Sequence, residues 1–158
     1  MPDPVKIGDR APVFSLPSES GELVSLGDYI GKKPVVLYFY PKDNTVVCTK
    51  EACAFRDNYE EFRRLEGAEV FGISSDPVES HSSFSREHGL PFRLLSDEKG
   101  TIRELYGVPK TLGIFPGRVT YVIDGDGIVI HIISSQLGYK KHVEEALWAL
   151  RSSQKGKI

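Results

Sequence analysis

The chain has 158 residues, 40% of them hydrophobic and 27% charged, and its 20 Lys and Arg against 22 Asp and Glu leave a net charge of −2. That size and composition suit one folded domain with one core rather than a disordered chain, and a single domain over residues 1–158 is expected. The absence of a basic excess argues against nucleic acid or an anionic membrane as partner, and the longest strongly apolar run, Val35 to Tyr40, is far shorter than the roughly 20 residues that span a bilayer.

Taken in chain order, Met1-Pro2-Asp3-Pro4 shows no basic start followed by an apolar stretch, so no secretory signal is expected. A reducing cytoplasm is then the default location, with an organelle as the alternative if a transit peptide has been removed upstream. Phe14 to Leu16 and Leu23 to Leu26, separated by Ser18-Glu19-Ser20-Gly21, predict a small outer hairpin. Pro34 to Tyr40 predicts a buried central strand stopped by Pro41, and Ala68 to Ser74 and Arg118 to Asp124 have the same character. Gly127 to Ile133 follows an Asp-Gly-Asp-Gly turn and predicts a hairpin with the strand before it.

Helical patterns lie between these runs. Ala52, Phe55, Tyr59 and Phe62 recur at spacings of three and four, predicting one amphipathic helix over Val46 to Leu65 with its charges on the other side. Val78 to His88 follows Asp76-Pro77, a capping residue and a proline suited to a helix start. Lys99 to Tyr106 predicts a short helix ended near Gly107, and Lys141 to Arg151 a closing helix, with the polar tail Ser152 to Ile158 frayed. The alternation implies an α/β fold with a central mixed sheet flanked by helices.

The two cysteines, Cys48 and Cys53, stand just after the central strand. With Thr45 as N-cap, Cys48 is the third helical residue, where unpaired backbone N–H groups and the positive end of the helix dipole favour a reactive thiol. Cys53 lies about 7.5 Å further along the axis and about 140° around it, placing the two Cα atoms about 8.6 Å apart. A disulfide needs less than about 7 Å, so the pair can bond only if the first turns of the helix unwind. Thr49, Arg56, Asp57 and Glu60 neighbour Cys53 at helical spacing, giving it the more solvated stripe. On residue type alone, two buried inert thiols account for the pair as well as a reactive site does.

Pro41-x-x-x-Thr45-x-x-Cys48 resembles the active-site signature of the peroxiredoxins, and Thr49-Lys50-Glu51-Ala52-Cys53-Ala54-Phe55-Arg56-Asp57 resembles their Q/bacterioferritin-comigratory-protein subfamily. The likeness extends to Gly8 to Phe14, Gly72 to Asp76, Leu94 to Asp97, Gly107 to Pro109 and Pro116 to Asp124. It implies a thioredoxin-like fold and thiol-dependent reduction of hydrogen peroxide and organic hydroperoxides. By the resemblance, Cys48 is the peroxidatic cysteine, Thr45 holds the peroxide through its hydroxyl and Pro41 shields the site from water. Arg118 favours the thiolate and stabilises the leaving oxygen. Cys53 condenses with the Cys48 sulfenic acid to an intramolecular disulfide, which thioredoxin or a similar dithiol reduces. No metal or organic cofactor is implied, and an intramolecular resolving cysteine removes the chemical need for a partner subunit, so a monomer is expected. The subfamily often has proline two positions before the peroxidatic cysteine. Here Val46-Val47 stands in that region, which is expected to alter the stiffness of the loop rather than the chemistry.

Other residues carry plainer expectations. Arg118 could form a surface ion pair, and Arg56 reads as a solvated helix charge. His81, His88, His131 and His142 show no metal-ligand spacing. His81 and His88 are expected on a solvated helix face, and Lys140-Lys141-His142 as decoration of a helix start. Tyr38, Phe39, Tyr40, Phe55 and Tyr59 read as core. Two other functions compete: a disulfide oxidoreductase, which would want C-x-x-C rather than four intervening residues, and a copper-binding assembly factor, which would want C-x-x-x-C and a distant histidine.

Overall fold

The computed structural model describes residues 3–111 and 115–155. A two-stranded hairpin comes first, β1 (Ser15–Pro17) against β2 (Leu23–Ser25). The central sheet contains β3 (Val35–Phe39), β4 (Glu69–Ser74), β5 (Arg93–Ser96), β8 (Val119–Ile123) and β9 (Val129–Ser134) in the order β5-β4-β3-β8-β9. Strands β3, β4 and β5 are parallel, and β8 and β9 run antiparallel, so the sheet is mixed as expected. A short pair, β6 (Lys110–Thr111) with β7 (Phe115–Pro116), precedes β8.

Strand β3 is the middle of the sheet, and all five of its residues are buried. Its continuous apolar run follows from coverage on both faces. Val36 and Tyr38 point into one core with Phe55, Phe62, Phe84, Phe92 and the inward residues of the last helix. Val35, Leu37 and Phe39 point into the other with Phe14, Leu26, Tyr106 and Tyr121. The helices are α1 (Val46–Asp57), α2 (Tyr59–Arg64), α3 (Val78–His88), α4 (Thr101–Tyr106) and α5 (Tyr139–Lys155), and α1 packs on α5.

Two helical expectations need correction, and one strand of the sheet was not expected. The helix predicted over Val46 to Leu65 is two helices, broken at Asn58, whose backbone sits at φ −110° and ψ 7°. The Asn58 side-chain amide donates to the Ala54 carbonyl at 2.8 Å, and its backbone N–H turns to Phe55. The side chain thus takes the acceptor that the helical ladder would use. Phe55 and Phe62 are buried on either side of this break, so the apolar period hides it. The last helix is longer than Lys141 to Arg151: it starts at Tyr139 and runs through 152–155, while 156–158 of the predicted frayed tail lie outside the described residues. Arg151, paired with Glu61, fastens that end to α2. Finally, β5 was not assigned from the sequence, because its four residues are too short for a period and their burial comes from pairing with β4.

Gly72 is required by its neighbour across the β3–β4 pair. A Cβ there would lie 2.7 Å from the Tyr38 ring and hydroxyl and 2.8 Å from Leu94. Gly72→Ala should therefore cost about 1–3 kcal/mol in urea denaturation. Adding Tyr38→Phe, which deletes a hydroxyl without a hydrogen-bond partner among the described residues, should recover part of that loss.

Candidate active site

The site is built where β3 ends. Tyr40 continues the strand by donating its N–H to the Ile73 carbonyl, and the chain then leaves the sheet at Pro41. Asn44 adopts a left-handed backbone at φ 63°, a conformation that asparagine tolerates better than most residues. Thr45 follows with extended geometry at the N-cap, and α1 begins at Val46 despite two consecutive β-branched residues. Cys48 is accordingly the third helical residue, as the spacing predicts. Thr45 caps by position only: its hydroxyl donates to the Lys42 carbonyl at 2.9 Å and makes no capping hydrogen bond.

Cys48 is 1% exposed, and Arg118 beside it is 4% exposed. Arg118 Nη2 donates to Cys48 Sγ at 3.2 Å, Nη1 to Glu51 Oε1 at 2.7 Å and Nε to the Gln136 carbonyl at 2.9 Å. The sequence offered a surface ion pair for Arg118; the pair it forms is a buried one. Burial alone would lower the Arg118 pKa, but the Glu51 carboxylate and then the Cys48 sulfur outweigh it and raise it.

Glu51 belongs to this group and is fully buried, although the helix charges are expected on the solvated side. Its position three residues after Cys48, on the same helical face, is the signal that could have found it. Burial pushes its carboxyl up to about 7, against the pull of Arg118. Its second oxygen has no hydrogen-bond partner among the described residues, and His142 Nδ1 stands 3.7 Å from it. His142 is fully buried rather than decorating a helix start. Its Nε2 faces the Ser135 carbonyl at 2.8 Å, an acceptor, so Nδ1 accepts from the Thr120 hydroxyl at 2.7 Å. Burial, chiefly, lowers its pKa to about 4, which suits that neutral ring.

A second buried set holds the loop before Cys48. Asp43 accepts from Tyr40 Oη at 2.6 Å and Ser80 Oγ at 2.8 Å, and pairs with His81 Nδ1 at 2.7 Å. His81 Nε2 meets the Leu95 carbonyl, so this histidine is a fully buried tie and not a solvated helix residue. Burial opposes the Asp43 charge, but His81, Tyr40 and Ser80 prevail and hold its pKa below the usual value. Among the described residues, Asp43, Asp76 and His81 form one grouping with metal-ligand atoms within 4.8 Å. Those atoms are already engaged, Asp76 by the Asp43 N–H and the Ser74 hydroxyl. Arg103 completes the scaffold, donating to the Tyr40 and Gly117 carbonyls at 2.9 Å each, and so ties the residues that precede Pro41 and Arg118.

Around the Arg118 guanidinium opens a cleft of about 360 Å³ lined by Pro41, Thr45, Val46, Val47, Gln136 and Leu137. The structure thus brings Cys48, Arg118, Pro41 and Thr45 to one place. Cys53 is elsewhere. It is half-buried in the wall of a separate cleft of about 540 Å³ between α1 and α5, and both cysteines are free thiols. The helix runs unbroken through both, which keeps their Cα atoms about 8.6 Å apart. Arg56 is less solvated than expected, donating to the His88 carbonyl at 2.7 Å while pairing with Asp57.

A family model described as the AhpC/TSA family matches residues 7–132. A chloroplastic peroxiredoxin Q of Sedum lineare is 50% identical over 146 residues, covering 92% of this chain and 77% of that one. The peroxiredoxin Q of Oryza sativa subsp. japonica is 50% identical over 149 residues, covering 94% and 68%. Among solved structures, peroxidoxin BcpB of Mycobacterium tuberculosis superposes with a TM-score of 0.85 at 39% identity, covering 94% of this chain and 97% of that one. The bacterioferritin comigratory protein of Xanthomonas campestris, whose structures concern its alkyl peroxide reduction activity, gives a TM-score of 0.82 at 28% identity, covering 92% and 99%.

The buried carboxyl makes stability pH-dependent. The folded pKa of Glu51, about 7, exceeds its ordinary 4.5, so its contribution is full below 4.5 and is lost as pH rises through 7. The unfolding free energy of wild type minus that of Glu51→Gln should therefore decline across this window, by roughly 1–3 kcal/mol in total, and level off above it. Urea denaturation from acid to neutral pH measures it; a difference that rises with pH would contradict the assignment.

Proposed function

The chain belongs to the AhpC/TSA family, within the Q/bacterioferritin-comigratory-protein group of peroxiredoxins, and is a thiol-dependent peroxidase of thioredoxin-like fold; on that premise we propose that Cys48 is its peroxidatic residue. The observation that carries this reading is the 3.2 Å contact from Arg118 Nη2 to Cys48 Sγ in the first turn of α1. A guanidinium donating to sulfur favours its anionic form, and the thiolate is the nucleophile. Cys48 attacks one peroxide oxygen, the O–O bond breaks, and the other oxygen leaves with the bonding pair and takes up a proton. Cys48 becomes a sulfenic acid, with the sulfur oxidised and the peroxide reduced by two electrons.

Arg118 also lines the mouth, where its charge can meet the departing oxygen. Thr45 stands at the same lip, and a turn of its hydroxyl from the Lys42 carbonyl toward the cleft would let it bind the peroxide. Pro41, half-buried, limits water there. Val46 and Leu137, 70% and 77% exposed, make an apolar rim suited to the organic part of a hydroperoxide as well as to hydrogen peroxide itself.

Cys53 is the resolving thiol in this reading. It attacks the Cys48 sulfenic sulfur once the first turns of α1 unwind, releasing water and forming an intramolecular disulfide. A thioredoxin-type dithiol then returns both thiols by exchange. Because both cysteines lie in one chain, a monomer suffices. The plant relatives are chloroplastic proteins, which favours the organellar alternative over the cytoplasm for relatives of this kind. Among the described residues no helix is long and apolar enough to cross a membrane. Copper binding is not favoured, since Arg118 occupies the Cys48 sulfur while Cys53 opens to another cleft.

Stopped-flow peroxide consumption with thiol mapping tests the assignment. Cys48→Ser should lose the reaction, and Arg118→Ala should slow it by about 10²–10³-fold. Cys53→Ser should consume peroxide at first but stop after one turnover, with Cys48 advancing to sulfinic acid. Peroxide consumption by Cys48→Ser at the wild-type rate would end the reading. The unwinding step has its own check: amide exchange around Cys48 to Cys53 should be faster in the oxidised than in the reduced protein, and equal protection would refute it.

A further inference from the structure

Resolution needs Cys53 as a thiolate, because a neutral thiol is a poor nucleophile toward a sulfenic acid. The cysteine at the helix start has Arg118; Cys53, in the middle of α1, has no share in that guanidinium or in the free N–H groups of the first turn. A different group faces it. His88, the last residue of α3, places Nδ1 4.0 Å from Cys53 Sγ.

That histidine is held in place from two sides. Its ring packs edge-on against Phe84, one turn earlier, at 4.9 Å between centroids. Its carbonyl accepts from Arg56 Nη1 at 2.7 Å, and Arg56 sits three residues after Cys53 on the same helix. The end of α3 is therefore latched to the turn of α1 that carries the thiol. Gly89, at φ 58°, closes α3 with the left-handed cap usual at a helix end. A positive charge formed on His88 would fall at the negative end of the α3 dipole, where a cation is stabilised. The other charged groups about this pair are Arg56 and Asp57 on α1, Arg86 and Glu87 beside His88 on α3, and Lys50, Lys140 and Glu144 around the Cys53 cleft.

The geometry points to His88 as the general base of the resolving step: its Nδ1 takes the Cys53 thiol proton, so that α1 unwinds with a thiolate ready to attack Cys48. This rests on the reading of Cys53 as the resolving residue. In the tautomer of the neutral ring that carries its proton on Nε2, Nδ1 is free to accept. The Cys53 sulfur then donates an electron pair to the Cys48 sulfur, the S–S bond forms and the S–O bond breaks. The departing hydroxide takes a proton from the imidazolium or from solvent, so that a thiol and a sulfenic acid give a disulfide and one water.

The test separates the two chemical phases. Reduced wild type, His88→Phe, which keeps an aromatic ring against Phe84, and His88→Ala are mixed with one equivalent of hydrogen peroxide. Peroxide loss is followed by stopped flow and the Cys48–Cys53 disulfide by acid quench and mass spectrometry, from about pH 6 to 9. The slowing should be confined to the disulfide phase, about 10²-fold near neutral pH in both variants. It should shrink toward the alkaline end of that range, where hydroxide can take the thiol proton in the histidine's place. Added imidazole should restore part of the rate in His88→Ala but not in His88→Phe. An unchanged disulfide phase overturns the proposal, and so does a slowing that is equal at every pH and indifferent to imidazole, which would make His88 only a packing residue. A wild-type protein that forms no Cys48–Cys53 disulfide overturns it by removing Cys53 from the cycle, a result visible before any variant is made.

Discussion

A guanidinium sealed from water must find acceptors inside the protein, and the site takes its shape from meeting that demand for Arg118. Three of its nitrogens reach three parts of the chain: a carbonyl between β9 and α5, a carboxylate on α1 and the Cys48 sulfur. None of these acceptors lies within hydrogen-bond range unless the sheet, α1 and the loop before α5 are all in register. The geometry around Cys48 thus follows from burying one charge, and Glu51, whose own burial raises its pKa, is drawn back toward its charged form by that guanidinium.

A second buried arginine supports the first. Arg103 holds the carbonyls of Tyr40 and Gly117, the ends of two chain segments that deliver the loop of Pro41 and the side chain of Arg118. Gly117 has no room for a side chain, since a Cβ there would come within 2.2 Å of the Pro109 carbonyl. The Asp43–His81 tie does the same on the other side of the loop, so that the polypeptide entering α1 is fixed from both faces.

What the sequence discloses here is what depends on neighbouring residues. Strands β3, β4 and β8 declare themselves through continuous apolar runs, α3 through Asp76-Pro77 before it, and the start of α1 through Thr45, which places Cys48 at the third helical position from sequence alone. The hidden features depend on distant partners. The three-residue step from Cys48 puts Glu51 on the buried face of α1, but the partner that lets a carboxylate stay there, Arg118, lies 67 residues on. His81 is a tie because Asp43 stands 38 residues away, and His142 is dry because Thr120 meets it from β8. The break at Asn58 escaped for another reason: a single side-chain amide replaced a ladder hydrogen bond beneath an undisturbed apolar pattern.

Both thiols lie on one uninterrupted helix, and this has a thermodynamic consequence for the proposed cycle. If the disulfide form must surrender the first turns of α1, the free energy of those turns is part of the couple's reduction potential. Reduction then restores helix as well as thiols, and every increment of helix stability makes the disulfide a stronger oxidant. For a two-electron couple, about 1.4 kcal/mol corresponds to about 30 mV. The β-branched pair Val46-Val47, which favours helix less than straight-chain residues do, thereby acts on redox poise as well as lining the cleft. Ordinary helix propensity becomes an electrochemical variable, tunable from positions of α1 that carry neither thiol.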